Sequence, residues 1–323
     1  MRDQHGRTIN YLRLSITDRC NFRCRYCMPE TGVEKQTHQQ ILRYEELLRI
    51  SRIATSLGID KIRVTGGEPL VRKGVIGFLK QLSDLPGVQD LALTTNGLLL
   101  GEMAEPLLDA GVKRVNVSLD SLNEQSFSDI TRGGKLQQVL AGIEAADAAG
   151  LKIKINMVVM RGVNDHEIKD FARLSLDRPW SVRFIEYMPT IKESDWQERL
   201  LSGAEVLAQI RQEFELTPLE TTGQCGPARP FKIAGATGTV GVITPMSNHF
   251  CSSCNRLRVT SDGLAKSCLL SEESIDLKPC LQQSDDRCLK QLFEDIVSGK
   301  PARHTIDDAD ASHKPFTMSS IGG

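Results

Sequence analysis

Nowhere in this chain of 323 residues does an apolar run approach the ~18 residues of a membrane-spanning helix, and no apolar stretch stands behind a basic one at its start. From both absences we expect a cytoplasmic chain. An excess of one charge is missing too: 40 lysines and arginines stand against 41 aspartates and glutamates, a formal net charge of −1. No global field therefore recruits nucleic acid or an anionic membrane, and any anion has to be met locally. No internal repeat or low-complexity segment interrupts the chain. The nine cysteines are an odd number without a secretion signal, which argues against a disulfide framework. With 40% hydrophobic and 25% charged residues the composition fits one large or two ordinary globular domains.

What is present is an alternation. Short β-rich runs, YLRLSIT, KIRVTG, LALTTNG, RVNVSLD, KIKINMVVM and SVRFIEYM, are separated by helical patterns. Leu47, Ile50, Ala54 and Leu57 recur at spacings of three and four and mark one apolar stripe. Further helices are expected near 73–82, 100–110, 136–149, 166–176 and 203–214, several closed by a glycine such as Gly58, Gly111 or Gly150. This is a parallel α/β array, open and doubly wound or a partial barrel. Cys20, the GGEP at 66–69, the TTNG at 94–97, Ser118 and Asp120 all sit at or near the ends of successive strands. An open sheet gathers its site at one switch point, so chemistry spread over every strand favours the barrel. After about residue 217 the pattern turns to Gly-rich β segments and a helix near 287–298, a smaller second region.

Six of the nine cysteines fall into two tight groups. Cys20, Cys24 and Cys27 cannot share one face of a helix or strand, so they must wrap a common centre from a loop. A structural zinc closes its shell with four ligands, yet the closest histidines are His5 and His38 and no fourth cysteine is near. An iron–sulfur cluster tolerates one iron without a protein ligand. Cluster, incomplete zinc site and unrelated thiols all stay open on spacing alone. Cys251, Cys254 and Cys268 repeat the shortage, and Cys225 or Cys280 could complete a zinc ribbon. Arg256 and Arg258 alternate on an expected strand, as do Lys61 with Arg63 and Lys152 with Lys154, so each pair points one way.

CxxxCxxC followed by GGEP resembles the radical S-adenosylmethionine (SAM) superfamily. That resemblance implies an incomplete (β/α)6 TIM-like barrel over residues 1–217, its open side covered by a C-terminal α+β region at 218–323. It implies a [4Fe–4S] cluster on Cys20, Cys24 and Cys27 whose open iron is chelated by SAM, with Tyr26, Gly66, Gly67, Glu68, Ser118 and Met188 contacting SAM. Glu68 would accept from its ammonium.

LRLSITDRCNFRCRYCMP, KIRVTGGEPL, TTNG, NVSLDSL, FIEYMP, CxxCNRLRxTxDG and the terminal Gly-Gly narrow the resemblance over essentially the whole length. They are similar to the radical SAM family that cyclises GTP to (8S)-3′,8-cyclo-7,8-dihydroguanosine 5′-triphosphate, the first step of molybdenum cofactor biosynthesis. The implied second [4Fe–4S] cluster lies on Cys251, Cys254 and Cys268 and faces the nucleotide. Implied GTP contacts are Arg13, Lys61, Arg63, Thr94, Lys154, Arg183, Arg256, Leu257 and Arg258, with Arg256, Arg258, Gly322 and Gly323 serving the chemistry. Implied partners are an external one-electron donor such as flavodoxin or ferredoxin and a downstream cyclic pyranopterin monophosphate synthase. The chain would be monomer or homodimer. Cys225, Cys280 and Cys288 fall outside the pattern and are expected to be ordinary buried thiols. A peptide-modifying two-cluster radical SAM maturase and a zinc-binding interaction module are the competing readings.

Overall fold

A computed structural model describes residues 1–189, 196–220, 226–304 and 318–322. The first half alternates strand and helix as β1 (Tyr11–Ser15), α1 (Tyr44–Ser56), β2 (Lys61–Thr65), α2 (Val75–Ser83), β3 (Asp90–Thr95), α3 (Leu100–Asp109) and β4 (Arg114–Ser118). It continues with α4 (Glu124–Thr131), α5 (Leu136–Ala148), β5 (Lys152–Val159), α6 (Ile168–Asp177) and β6 (Ser181–Glu186). Then come α7 (Trp196–Arg199), α8 (Gly203–Arg211), β7 (Leu216–Pro218), β8 (Arg229–Ile233), β9 (Thr239–Ile243) and β10 (Arg256–Val259). The last elements are β11 (Leu264–Lys266), β12 (Ile275–Asp276), α9 (Lys278–Leu281), α10 (Arg287–Ser298) and α11 (Met318–Ile321).

The twelve strands of the described residues form one unclosed sheet in the order β12-β11-β10-β1-β2-β3-β4-β5-β6-β9-β8-β7. The six expected strands are its parallel centre, and the incomplete barrel is borne out. The later region extends this sheet at both edges: β10 pairs parallel with β1 and β9 pairs parallel with β6. No helix of the described residues is long and apolar enough to cross a membrane.

Alternation decides which side chains see the interior. Leu12, Leu14, Ile62, Val64, Val182 and Phe184 face the helices in one continuous core, while their neighbours in sequence point inward. Parallel strands are usually apolar on both faces. Here the inner face carries Arg13, Arg63, Thr94, Lys154 and Arg183, a composition suited to a ligand rather than to a packed core.

Helix α4 was not foreseen. It has eight residues, too few for a stripe, and starts where the Asn123 side chain accepts the Ser126 N–H at 3.0 Å. Glu186, buried at the end of β6, accepts from the backbone N–H of Gly203 at 2.7 Å and of Met246 and Ser247 at 2.9 Å each. It thereby joins β6 to the start of α8 and to the turn after β9.

The cysteines outside the two triads need one correction. Cys280 and Cys288 are not ordinary thiols but are joined as a disulfide, with Cα atoms 5.4 Å apart. The loop between α9 and α10 turns the chain back on itself. Arg49 of α1 pins that loop through Leu281 O at 2.9 Å, Asp285 O at 2.7 Å and the Asp286 carboxylate at 2.9 Å. Cys225 lies outside the described residues.

Candidate active site

The loop after β1 is shaped by backbone contacts before any cofactor is considered. Gly67 N–H donates to Thr17 O at 2.7 Å and Glu68 N–H to Arg19 O at 2.8 Å. The GGEP turn thus lies directly against residues 17–19. On its other side Arg23 N–H donates to Thr131 O at 3.1 Å and Arg25 N–H to Ile130 O at 2.9 Å. Arg132, the one described non-glycine residue with positive φ, at 56°, donates through Nη1 to Arg23 O at 2.9 Å and Met28 O at 3.0 Å. Between these braces Cys27 N–H and Met28 N–H turn back onto Cys24 O. Cys20, Cys24 and Cys27 line one cavity of about 280 Å³. Burial pushes the Cys20 thiol up to about 11, and burial with the nearby Asp120 charge raises Cys24 as well. Such thiols need a metal to hold them as thiolates.

Tyr26, Gly66, Gly67, Ser118 and Met188 line the same cavity. The Tyr26 hydroxyl donates to Asp120 at 2.8 Å, and burial brings Asp120 up to about 6. Glu68 is 1% exposed and is not among the residues lining the cavity. It accepts from Leu70 N–H at 3.0 Å, the Thr95 hydroxyl at 2.9 Å and Asn96 N–H at 2.7 Å. Its visible work is to fix the TTNG loop.

The second triad reaches the same cavity from the opposite end. β10 runs parallel to β1 and β11 antiparallel to β10, so Cys254 before β10 and Cys268 after β11 emerge at one end, with Cys251 a single turn away. Burial raises the Cys254 thiol, but the Arg256 guanidinium and the Lys300 ammonium outweigh it and bring it down to about 6. Arg256 Nη2 lies 3.7 Å from the Cys254 sulfur. Among the described residues no three His, Cys, Asp or Glu converge on a single metal-ion position. A cluster takes each sulfur on a different iron, so the three donors that each triad supplies fit it.

Between the triads lies a row of cations set by strand register: Arg258 opposite Arg13, and Arg13 opposite Arg63. Burial and the Arg256 charge bring Arg258 down to about 9, and burial with Arg63 and Arg114 brings Arg183 to about 10. Lys61 and Lys154 line an adjoining cavity of about 270 Å³ that shares Arg63 and Arg183 with the first. There burial and the Arg183, Arg114 and Arg63 charges lower Lys154 to about 7. The acid in this cavity, Asp90, is occupied by Arg114 at 2.6 Å. The buried Arg63 Nε, Arg183 Nε, Thr94 Oγ1 and Asn156 Oδ1 make no hydrogen bond among the described residues. Buried like charges and orphaned polar atoms together call for an anionic, hydrogen-bonding ligand.

Of the remaining residues, Leu257 points into the hydrophobic core, which leaves its backbone to meet a ligand. Gly322 O accepts from Arg258 Nη1 at 2.8 Å, so the tail does reach the cation row. Gly323 lies outside the described residues. Sequence reasoning missed Asn156, Arg132 and Lys300. Asn156 had a signal, since it stands two residues after Lys154, on the same face in the KIKIN alternation.

The Radical SAM superfamily matches residues 14–175 and Molybdenum Cofactor Synthesis C matches residues 180–306. The GTP 3′,8-cyclase of Geobacter sulfurreducens is 58% identical over 322 residues, covering 99% of this chain and 99% of that one. That of Alkaliphilus metalliredigens is 49% identical, with 100% of both chains covered. The chain belongs to the GTP 3′,8-cyclase family. As a radical SAM protein of that family it is neither a zinc-binding module nor a peptide maturase. Streptococcus suis SuiB bound to S-adenosylmethionine shares the fold alone, at TM-score 0.59 and 14% identity over 88% of this chain and 68% of that one. The two matched regions of this GTP 3′,8-cyclase family member bring one cysteine triad each.

Proposed function

We propose that this protein cyclises GTP to (8S)-3′,8-cyclo-7,8-dihydroguanosine 5′-triphosphate, the first step of molybdenum cofactor biosynthesis. Its resident groups are two [4Fe–4S] clusters, on Cys20, Cys24 and Cys27 and on Cys251, Cys254 and Cys268, with SAM at the first. The observation that carries this reading is the pair of three-thiol groups at opposite ends of one cation-lined cavity. When bound, the first cluster and SAM supply a 5′-deoxyadenosyl radical able to take the ribose 3′ hydrogen.

The chain's own part is orientation. Arg13, Arg63, Thr94 and Arg183, with Lys61 and Lys154 beyond them, hold the triphosphate, while Arg256 and Arg258 and the backbone of Leu257 hold the nucleotide beside the second triad. Tyr26, Gly66, Gly67, Ser118 and Met188 enclose SAM, and Glu68 keeps the TTNG loop in place beneath it. A substrate fixed at both ends presents C3′ to the radical and nothing else, which matters for so reactive a species. The first 217 residues carry the SAM contacts and the cations for the triphosphate, and 218–323 the second triad with Arg256, Leu257 and Arg258. Flavodoxin or ferredoxin supplies the electron, the product passes to cyclic pyranopterin monophosphate synthase, and the protein works in the cytoplasm as a monomer or homodimer.

Anaerobic protein reduced with dithionite and given SAM and GTP deuterated at C3′ tests this directly. Deuterium is expected in the 5′-deoxyadenosine; 5′-deoxyadenosine that forms equally without GTP and stays unlabelled would defeat the reading.

Lys154 gives the reaction a pH signature. Free, it titrates at about 7; a bound triphosphate raises that value, so GTP binding takes up a proton above pH 7. Affinity for GTP is expected to fall as pH rises from about 7 to 9, and Lys154→Gln should flatten that slope. Calorimetry in buffers of different ionisation enthalpy measures the uptake.

A further inference from the structure

We propose that Lys300 is a positioning residue for the second thiol triad and also supplies the buried positive charge that raises the reduction potential of the centre bound there. The inference rests on the two-cluster reading above and adds a residue that reading does not use.

Lys300 is 2% exposed and its ammonium meets no carboxylate among the described residues. It donates to Arg256 O at 3.0 Å and to Ser267 O. The first acceptor stands two residues after Cys254 and the second immediately before Cys268. One ammonium therefore staples together the two strands that deliver two of the three sulfurs. Arg7 completes the frame from the N-terminal end of the chain. Its Nη1 donates to Cys251 O at 2.8 Å and its Nη2 to Pro301 O at 2.8 Å, which ties the third ligand to the segment carrying Lys300.

The two cations differ in one decisive respect. Asp3 neutralises Arg7 through a contact of 2.5 Å, whereas Lys300 meets no acid among the described residues. A buried lone ammonium is costly unless something anionic stands beside it. The negative charges it faces are the Cys254 and Cys268 sulfurs, and the cations of Arg7 and Arg256 stand near it as well, which sharpens the need for an anionic neighbour. A cluster on three thiolates meets that need and becomes more negative on reduction, so a fixed cation favours its reduced form. The first triad has the reverse surroundings: Asp120 stands near Cys24 and Glu68 near Cys20. The two centres should then differ in potential, the second being the easier to reduce.

The test compares Lys300→Gln, Lys300→Met and Lys300→Arg in the full chain, reconstituted anaerobically. Iron content and the electron paramagnetic resonance of each centre are followed during a potential titration; SAM perturbs the first centre and so identifies it. Gln is neutral but keeps an N–H2 donor, one bond shorter than the lysine nitrogen, for these carbonyls. It is expected to keep both clusters while the second centre alone shifts to more negative potential. Met, which neither donates nor carries charge, is expected to lose iron from the second centre at least twofold more than from the first. Arg, retaining the charge, is expected to keep the wild-type potential. An unchanged second-centre potential in the Gln protein, or equal shifts at both centres, would overturn the electrostatic role. Equal loss of both clusters in the Met protein, or no loss, would overturn the positioning role. Wild-type protein holding only about four irons instead of about eight would instead count against the two-cluster function itself.

Discussion

A Gly322→Val protein is expected to fold, to assemble both clusters and to form cyclised nucleotide about 10²–10³-fold more slowly than the parent. The reason is local and steric. Gly322 has φ +85°, in the left-handed region, and a Cβ there would lie 2.6 Å from Thr65 Cγ2 and 3.1 Å from Ser15 Cβ. A side chain cannot be seated at that point without lifting the tail off the barrel. Lifting it removes the Gly322 carbonyl from Arg258, a guanidinium that is 5% exposed and crowded by Arg256 and Arg13. Arg258 would then turn toward the nearest acceptor, and the nucleotide would lose its register against the second triad. The tail contributes little core, so the melting temperature should move by no more than a few degrees. Product, 5′-deoxyadenosine and iron content measured together check the prediction: product falls while iron stays. Full turnover with a displaced tail would show that the carbonyl only neutralises an idle arginine.

Much of this site was legible because its chemistry is local in sequence. Three thiols within eight residues, or glycines beside a strand end, state their purpose by spacing. The inward direction of Lys61, Arg63 and Lys154 was likewise available from alternation, although Lys152, on the same face as Lys154, proves to be exposed at the strand's outer end. What could not be read depends on contacts between distant segments. Arg7 meets Cys251 across 244 residues and Lys300 meets Arg256 across 44. Nothing in either residue's neighbours announces such a pairing. Glu68 holds contacts that its motif does not announce: its oxygens accept from the loop at 95–96 and from Leu70, a use that only the packed turn reveals. Cys280 and Cys288 were misjudged because an eight-residue separation says nothing of the reversal between two helices.

The largest effect is expected at Gly67. A Cβ at this position would stand 2.4 Å from Arg19 O, 2.7 Å from Arg19 C and 2.8 Å from Asp18 O, all backbone atoms that cannot rotate away. Gly66 is as tight, with Thr17 O at 2.5 Å. Relief requires residues 17–19 to move, and Cys20 follows immediately. The hydrogen bonds from Gly67 N–H and Glu68 N–H to that segment break in the same displacement, so overpacking of about 1–3 kcal/mol is compounded by two lost backbone bonds. Gly67→Ala protein should therefore lose the first cluster and with it all 5′-deoxyadenosine formation. The second triad, built from the Cys251 turn, β10 and β11, should keep its iron, so total iron falls to about half of the parent's. Gly77→Ala on the exposed side of α2 is the matched control, because nothing lies within 4 Å of the added Cβ. There the same substitution should leave both clusters intact and stabilise the helix by about 0.5–1 kcal/mol. Parent-like SAM cleavage by Gly67→Ala would mean that the loop carrying Cys20 yields far more readily than its backbone contacts allow.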